Sequence, residues 1–130
     1  FNFDWSNTLN MKKLTNKEEQ IMQTLWKLKQ AFVKDILEEL PEPKPHYNTV
    51  STIIRLLEET GFVGHKAYGN THQYYPIVTK KAYTKNFMGE VLANYFDNSL
   101  KRMVAFFAEE EKLSEAEIKE IIDLIENKKS

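Results

Sequence analysis

From Met11 onward, apolar residues return at intervals that identify each element in turn. Thr15 followed by Glu18 forms a capping box, which satisfies two free amides at a helix start. Ile21, Met22, Leu25, Trp26 and Leu28 then recur at helical spacing and predict a first helix to about Gln30. Val33, Ile36, Leu37 and Leu40 repeat the pattern as a second, short helix, which Pro41, Pro43 and Pro45 end and follow with an extended loop. A third helix is predicted from Tyr47 to Thr60, with Gly61 as its stop. The runs Phe62–Tyr68 and Thr71–Val78 flank Gly69-Asn70 and predict a β-hairpin with glycine at the first central turn position. Phe62, Tyr75 and Ile77 share one strand face near its base and are expected to anchor it to the helices. After Thr79 the period is helical again. Phe87, Met88, Val91, Leu92, Tyr95 and Phe96 form one stripe, Leu100, Met103, Val104 and Phe107 a second, and Ile118, Ile121, Ile122 and Ile125 a third, with Ser114 and Glu117 capping the last helix.

Helix, helix, helix, hairpin is the order of a winged helix-turn-helix. The expected fold is mainly α with a small β-hairpin wing, followed by a helical appendage. Residues 1–10 fit no period and are set aside as an extension or remnant; 11–80 form the winged-helix domain and 81–130 the appendage. Short apolar helices have too little bulk to bury their own stripes. A second copy of the chain is the expected cover, through Phe87, Val91, Leu92, Tyr95, Phe107, Ile118, Ile121, Ile122 and Ile125.

Composition removes several function classes. The 130 residues are 42% hydrophobic, enough for a core, and contain no cysteine, which suits a reducing cytoplasm and excludes thiol chemistry. No apolar run approaches the length of a membrane span, and the first residues do not read as a signal peptide. Three histidines, His46, His65 and His72, are isolated in sequence. His65 and His72 share a strand face, but two ligands without a third do not make a metal site, so neither metal nor cofactor is expected. No phosphate-binding glycine loop, HExxH helix or nucleophile turn occurs, and no enzyme activity is expected. Residues 11–80 hold ten Lys/Arg against eight Asp/Glu, and residues 81–130 hold eight against ten, which tilts any anionic partner toward the first part.

The third helix carries the chemistry. At about 100° per residue, Val50, Ile53, Ile54 and Leu57 cluster on one side, and Asn48, Ser51, Thr52 and Arg55 on the other. Short hydrogen-bonding groups with one guanidinium match the base edges of a DNA major groove. The same face alone is also compatible with an ordinary solvated helix. The hairpin tip adds His65, Lys66, Tyr68, Asn70, Thr71 and His72 without a carboxylate, a set suited to phosphate oxygens or the minor groove, or to a plain surface hairpin. Lys12, Lys13, Lys17 and Lys44 are available as sequence-blind backbone contacts or as solvated lysines.

The stretches LTNKEEQIMQTLWKL, AFVKDILEEL and YNTVSTIIRLLEETGFVGHKAYGNTHQYYPIV resemble the penicillinase-repressor family that includes BlaI, MecI and CopY. The resemblance runs over residues 11–130 and is most specific at Asn48–Thr52, at Glu58–Phe62 and at Tyr74-Tyr75. It implies a bacterial cytoplasmic repressor, dimeric on a palindromic operator and inactivated by a membrane-bound sensor-protease. DNA contacts would then fall to Asn48, Thr49, Ser51, Thr52, Arg55, Lys66, Tyr68, Asn70 and Lys44. Four departures are visible. Asn48-Thr49 stands where relatives often carry Lys-Thr, and Arg55 precedes by one residue the position, Leu56, where an arginine is common. The bond cut in β-lactam-responsive members joins Asn and Phe; here the matching pair is Phe106-Phe107. The cysteine cluster of the copper-responsive branch is absent. A winged-helix protein-interaction module without DNA binding is the rival reading.

Overall fold

The structure is a computed structural model that describes residues 11–127. The proposed extension at 1–10 lies outside the described residues. Among the described residues six helices and three strands follow one another: α1 (Asn16–Leu28), β1 (Ala31–Phe32), α2 (Val33–Glu39), α3 (Tyr47–Glu59), β2 (Val63–Tyr68), β3 (Thr71–Pro76), α4 (Lys80–Tyr95), α5 (Leu100–Glu110) and α6 (Glu115–Asn127). The chain divides into two compact units, of which the described parts are residues 11–87 and 88–127.

In the first unit, α1 starts on the expected capping box. Thr15 Oγ1 accepts from the Glu18 amide, and Glu18 Oε1 accepts from the Thr15 amide at 2.9 Å. Lys12 Nζ donates to the second Glu18 oxygen at 2.8 Å. Ile21, Met22 and Leu25 of α1, Ile36 of α2 and Val50, Ile54 and Leu57 of α3 fill one core with Phe62, Val63 and Tyr74 of the hairpin segment. Gly61, at φ +85°, ends α3 in a left-handed turn. Its amide bonds Glu58 O and the Phe62 amide reaches back to Leu57 O at 2.9 Å.

The hairpin closes between Tyr68 and Thr71, and Gly69 adopts φ +62° as the first central residue. A third strand, not expected from the pattern, completes the sheet. β1 pairs antiparallel with β3 (Ala31 with Tyr74, Phe32 with Gln73), giving the order β1-β3-β2 with β2 at an edge. The anchoring face differs from the expected one. Tyr74 is buried, with Val63 and Phe62, while Tyr75 is 43% and Ile77 57% exposed. Register explains the exchange: Tyr74 pairs with His65 and Val63 with Pro76, so these project on one face and Tyr75, opposite Gly64, on the other. Tyr75 lies across Gly64, where an added Cβ would meet its hydroxyl at 2.8 Å.

Residues as far as Phe87 pack within this compact unit. Tyr83 is buried in its core with its hydroxyl accepting from the Leu14 amide at 2.9 Å, and Phe87, one turn later, packs against the same core. Trp26 Nε1 donates to Val78 O at 2.9 Å and fixes the chain as it leaves the hairpin.

In the second unit, Asp97 and Asn98 take positive φ, and the Asn98 amide reaches back to Leu92 O, which separates α4 from α5. Lys112, at φ 51°, separates α5 from α6. Ser99 caps α5 through the Arg102 amide, and Ser114 caps α6 through the Glu117 amide at 3.1 Å, the latter as expected.

Two outcomes follow. Burial raises the Glu18 pKa, but the Lys12 ammonium and the Thr15 amide and hydroxyl outweigh it and leave the carboxyl below its ordinary 4.5. Its contribution to stability is complete above that value and is lost as pH falls through the lower folded one. Acid unfolding followed by circular dichroism should therefore lose part of its steepness in Glu18→Gln, and an unaltered curve would contradict this. Tyr83→Phe leaves the Leu14 amide without its acceptor and should cost about 1–3 kcal/mol in urea unfolding.

Candidate nucleic-acid interface

α3 packs on α1, α2 and β2, and its orientation follows from its aliphatic side. Val50, Ile54 and Leu57 are fully buried and Ile53 partly so. The opposite surface presents Asn48, Thr49, Thr52 and Arg55 to solvent, with Ser51 half-buried and Tyr47 and Leu56 exposed. Its first turn carries no carboxylate. Thr52 Oγ1 donates to Asn48 O at 2.8 Å, which spends the hydroxyl proton and leaves an outward acceptor. Arg55 Nε donates to Ser51 O at 3.3 Å, and the two terminal nitrogens of the guanidinium have no partner among the described residues.

A groove of about 470 Å³ runs beside this helix. One wall is Tyr47, Ser51 and Arg55 of α3, and the other is Asn70, Thr71, His72 and Tyr74 of the hairpin. Phe32, Val33 and Lys34, where β1 passes into α2, form its end. Of the residues predicted from sequence, the fold thus gathers Ser51, Arg55 and Asn70 at one groove. Asn48 and Thr52 lie on the adjoining exposed face, and Thr49 borders a separate 350 Å³ hollow with Lys17, Gln20 and the proline loop.

Lys66 and Tyr68 do not line this groove; Lys66 pairs with Gln73, on the face away from His72 and Tyr74, and Tyr68 pairs with Thr71 at the turn. There the Lys66 ammonium stands 5.8 Å from the centre of the Tyr68 ring, and Tyr68 meets Phe32 edge-on at 5.9 Å. Lys44 is committed elsewhere. Its ammonium donates to Leu37 O, Glu38 O and Leu40 O at 3.1, 2.9 and 2.8 Å, closing the C-terminal end of α2. All three of its donors are thus engaged within the protein. Lys12 is paired with Glu18, and Lys13 stands over the Phe87 ring at 5.7 Å.

The two hairpin histidines share a face, as expected, and stack at 4.1 Å with their planes 10° apart. Sequence reasoning missed the third member of this group: Glu58 Oε2 lies 2.5 Å from His65 Nδ1 and ties the last turn of α3 to β2. The separation of seven residues across a turn gave no local signal for it. Burial and the nearby Glu58 carboxylate raise the pKa of the Tyr74 phenol beneath them, against the opposing Arg55 charge. No group of three or more His, Cys, Asp or Glu arranged for a metal ion occurs among the described residues, nor does any helix long and apolar enough to cross a membrane.

The residues expected in a dimer contact are unevenly exposed. Phe87 packs on the winged-helix core and Leu92 is buried, while Val91, Ile118 and Ile121 are half-buried. Tyr95 (77% exposed), Phe107 and Ile122 are open, as are Phe106 and Leu124 (66%); the Ile125 side chain lies outside those described.

Three comparisons agree with this architecture. The chain is 30% identical over 121 residues to the methicillin resistance regulatory protein MecI of Staphylococcus aureus strain N315, covering 89% of this chain and 95% of that protein. It is 25% identical over 119 residues to the penicillinase repressor of Bacillus licheniformis, covering 91% and 93%. The solution structure of the DNA binding domain of the repressor BlaI superposes with a TM-score of 0.50 at 20% identity, covering 57% of this chain and 92% of that one, which supports the winged-helix fold. A family model described as penicillinase repressor matches residues 14–127, and the chain therefore belongs to the penicillinase repressor family, a family of repressors and not of enzymes.

Proposed function

We propose that this protein is a dimeric, sequence-specific DNA-binding transcriptional repressor acting in the bacterial cytoplasm on antibiotic-resistance or stress genes. The observation that carries the reading is the exposed, carboxylate-free start of α3 beside a groove that Arg55 and Asn70 both line. Asn48, Thr49, Ser51, Thr52 and Arg55 read bases or adjacent phosphates, and Asn70 holds the backbone from the hairpin, with Lys66 and Tyr68 on its outer face. Arg presents two donors to guanine and Asn can pair with adenine, while Ser and Thr adapt to either. The MecI and penicillinase repressor names of the relatives support the same class of regulation.

The second copy is argued from apolar surface. Tyr95, Phe106, Phe107, Ile122 and Leu124 are too much exposed greasy area for one short helical unit to leave in water. A two-fold dimer would place one winged helix on each half of a palindrome. Inactivation by a sensor-protease is part of the proposal. Phe106-Phe107 lies within α5, so cutting there requires that helix to open first.

Selection of bound duplexes from a random pool should return a palindrome, with affinity that falls as salt rises. A pool without enrichment, and no salt-dependent affinity for any duplex, would favour the interaction-module reading. On the recovered duplex, Arg55→Ala should cost about 1–3 kcal/mol and relax preference at one base pair. Equal losses on a scrambled duplex would make Arg55 a phosphate contact instead. Ile122→Glu should shift the sedimentation coefficient from dimer to monomer by placing a charge in an apolar contact; an unchanged dimer would refute that placement.

A further inference from the structure

We infer that DNA binding at this site is proton-linked, with His72 as a backbone contact that acts fully only as a cation and that His65 and Glu58 hold in position. The inference rests on the DNA-binding reading above and adds a residue and a condition to it.

The geometry supplies three parts. His65 pairs with Tyr74 and His72 with Ala67, so both imidazoles project from the same side of the hairpin. Their rings stack at 4.1 Å, nearly parallel. His65 is fixed from below, since its Nδ1 meets Glu58 Oε2 at 2.5 Å, and α3 thereby sets where the pair stands. His72 is the member that reaches the groove, beside Arg55 and Asn70.

The chemistry follows from charge. A cation over a neutral aromatic face is attracted to it, whereas two stacked cations repel. The Glu58 carboxylate is the negative charge held against the His65 ring, and among the described residues no carboxylate lines the groove on the His72 side. A DNA phosphate in the groove supplies that charge on the His72 side. The other groups that face the imidazoles are Lys34 of α2, Tyr47, Arg55 and Glu58 of α3, and Tyr74 of β3. Carboxylates, phenols, ammoniums and guanidiniums ordinarily change charge outside the window of about pH 5.5 to 7.5, and imidazoles within it. Binding that takes up a proton tightens as pH falls, by at most about tenfold per pH unit for each proton.

The test is fluorescence anisotropy of the full chain with a labelled mixed-sequence duplex and with the selected duplex, from about pH 7.5 to 5.5 at constant salt. Wild type should bind up to about tenfold more tightly per unit of acidification over part of this range. His72→Gln should flatten the profile at the weaker, alkaline affinity. His72→Lys should flatten it at the tighter, acid affinity, which no purely structural role for the ring would produce. His46→Gln, altering the third histidine at the start of α3, should keep the slope. A flat wild-type profile, or an unchanged slope in His72→Gln, overturns the inference while leaving DNA binding intact. Absence of duplex binding at every pH overturns the DNA-binding reading, and this inference with it.

Discussion

Burial of the aliphatic side of α3 is the constraint from which the remaining geometry follows. Val50, Ile54 and Leu57 lose all contact with water against α1 and α2. Each such side chain is worth about 1.5–3 kcal/mol of transfer free energy, far more than any single hydrogen bond on the outer face. Rotating the helix by one residue would turn it about 100° and bring these groups into solvent. The outward direction of Asn48, Thr52 and Arg55 is thus a consequence of apolar packing, and these polar residues need no interactions of their own to hold it. Small polar groups contribute little to stability there, which leaves their identity free to be set by a ligand.

The hairpin depends on the same core but by a different route. Tyr74 and Val63 insert from one face, and the Glu58–His65 pair joins helix to strand near solvent. Packing fixes the depth of the hairpin, and the Glu58–His65 contact fixes a point on its outer part. Both arms of the groove are therefore referred to one helix. Lys44 serves this arrangement indirectly: by occupying the carbonyls at the end of α2 it holds the proline loop that leads into α3.

Much of this was legible in the sequence because it is local. The capping box at Thr15, the Gly61 stop, the Gly69-Asn70 turn and the two sides of α3 each follow from residues a few positions apart, where spacing alone determines what meets. What was not legible depends on long-range pairing. β1 is two residues long, too short for any period to appear, and exists because β3 lies beside it. Tyr74 and Tyr75 are adjacent aromatics, and alternation cannot tell which one points inward; pairing with Gly64 decided it. Lys44 had the composition of a phosphate contact, yet the nearest unsatisfied acceptors were backbone carbonyls. Tyr83 and Phe87 belong to a helix whose stripe reads as continuous, and only their partners assign them to the core. For the candidate site, residue types and faces were readable, whereas the division of the hairpin into a groove side and an outer side was not.

The position of β2 at the sheet margin has its own consequence. A bare strand margin offers a row of amides and carbonyls on which a foreign segment can zip, the usual first step of aggregation. Here that row is only six residues long, begins beside a glycine roofed by a phenol ring and carries a lysine at its middle, so stacking one wing on another would bury an ammonium for little backbone gain. The exposed wing thus carries its own disincentive to edge-to-edge pairing with another copy.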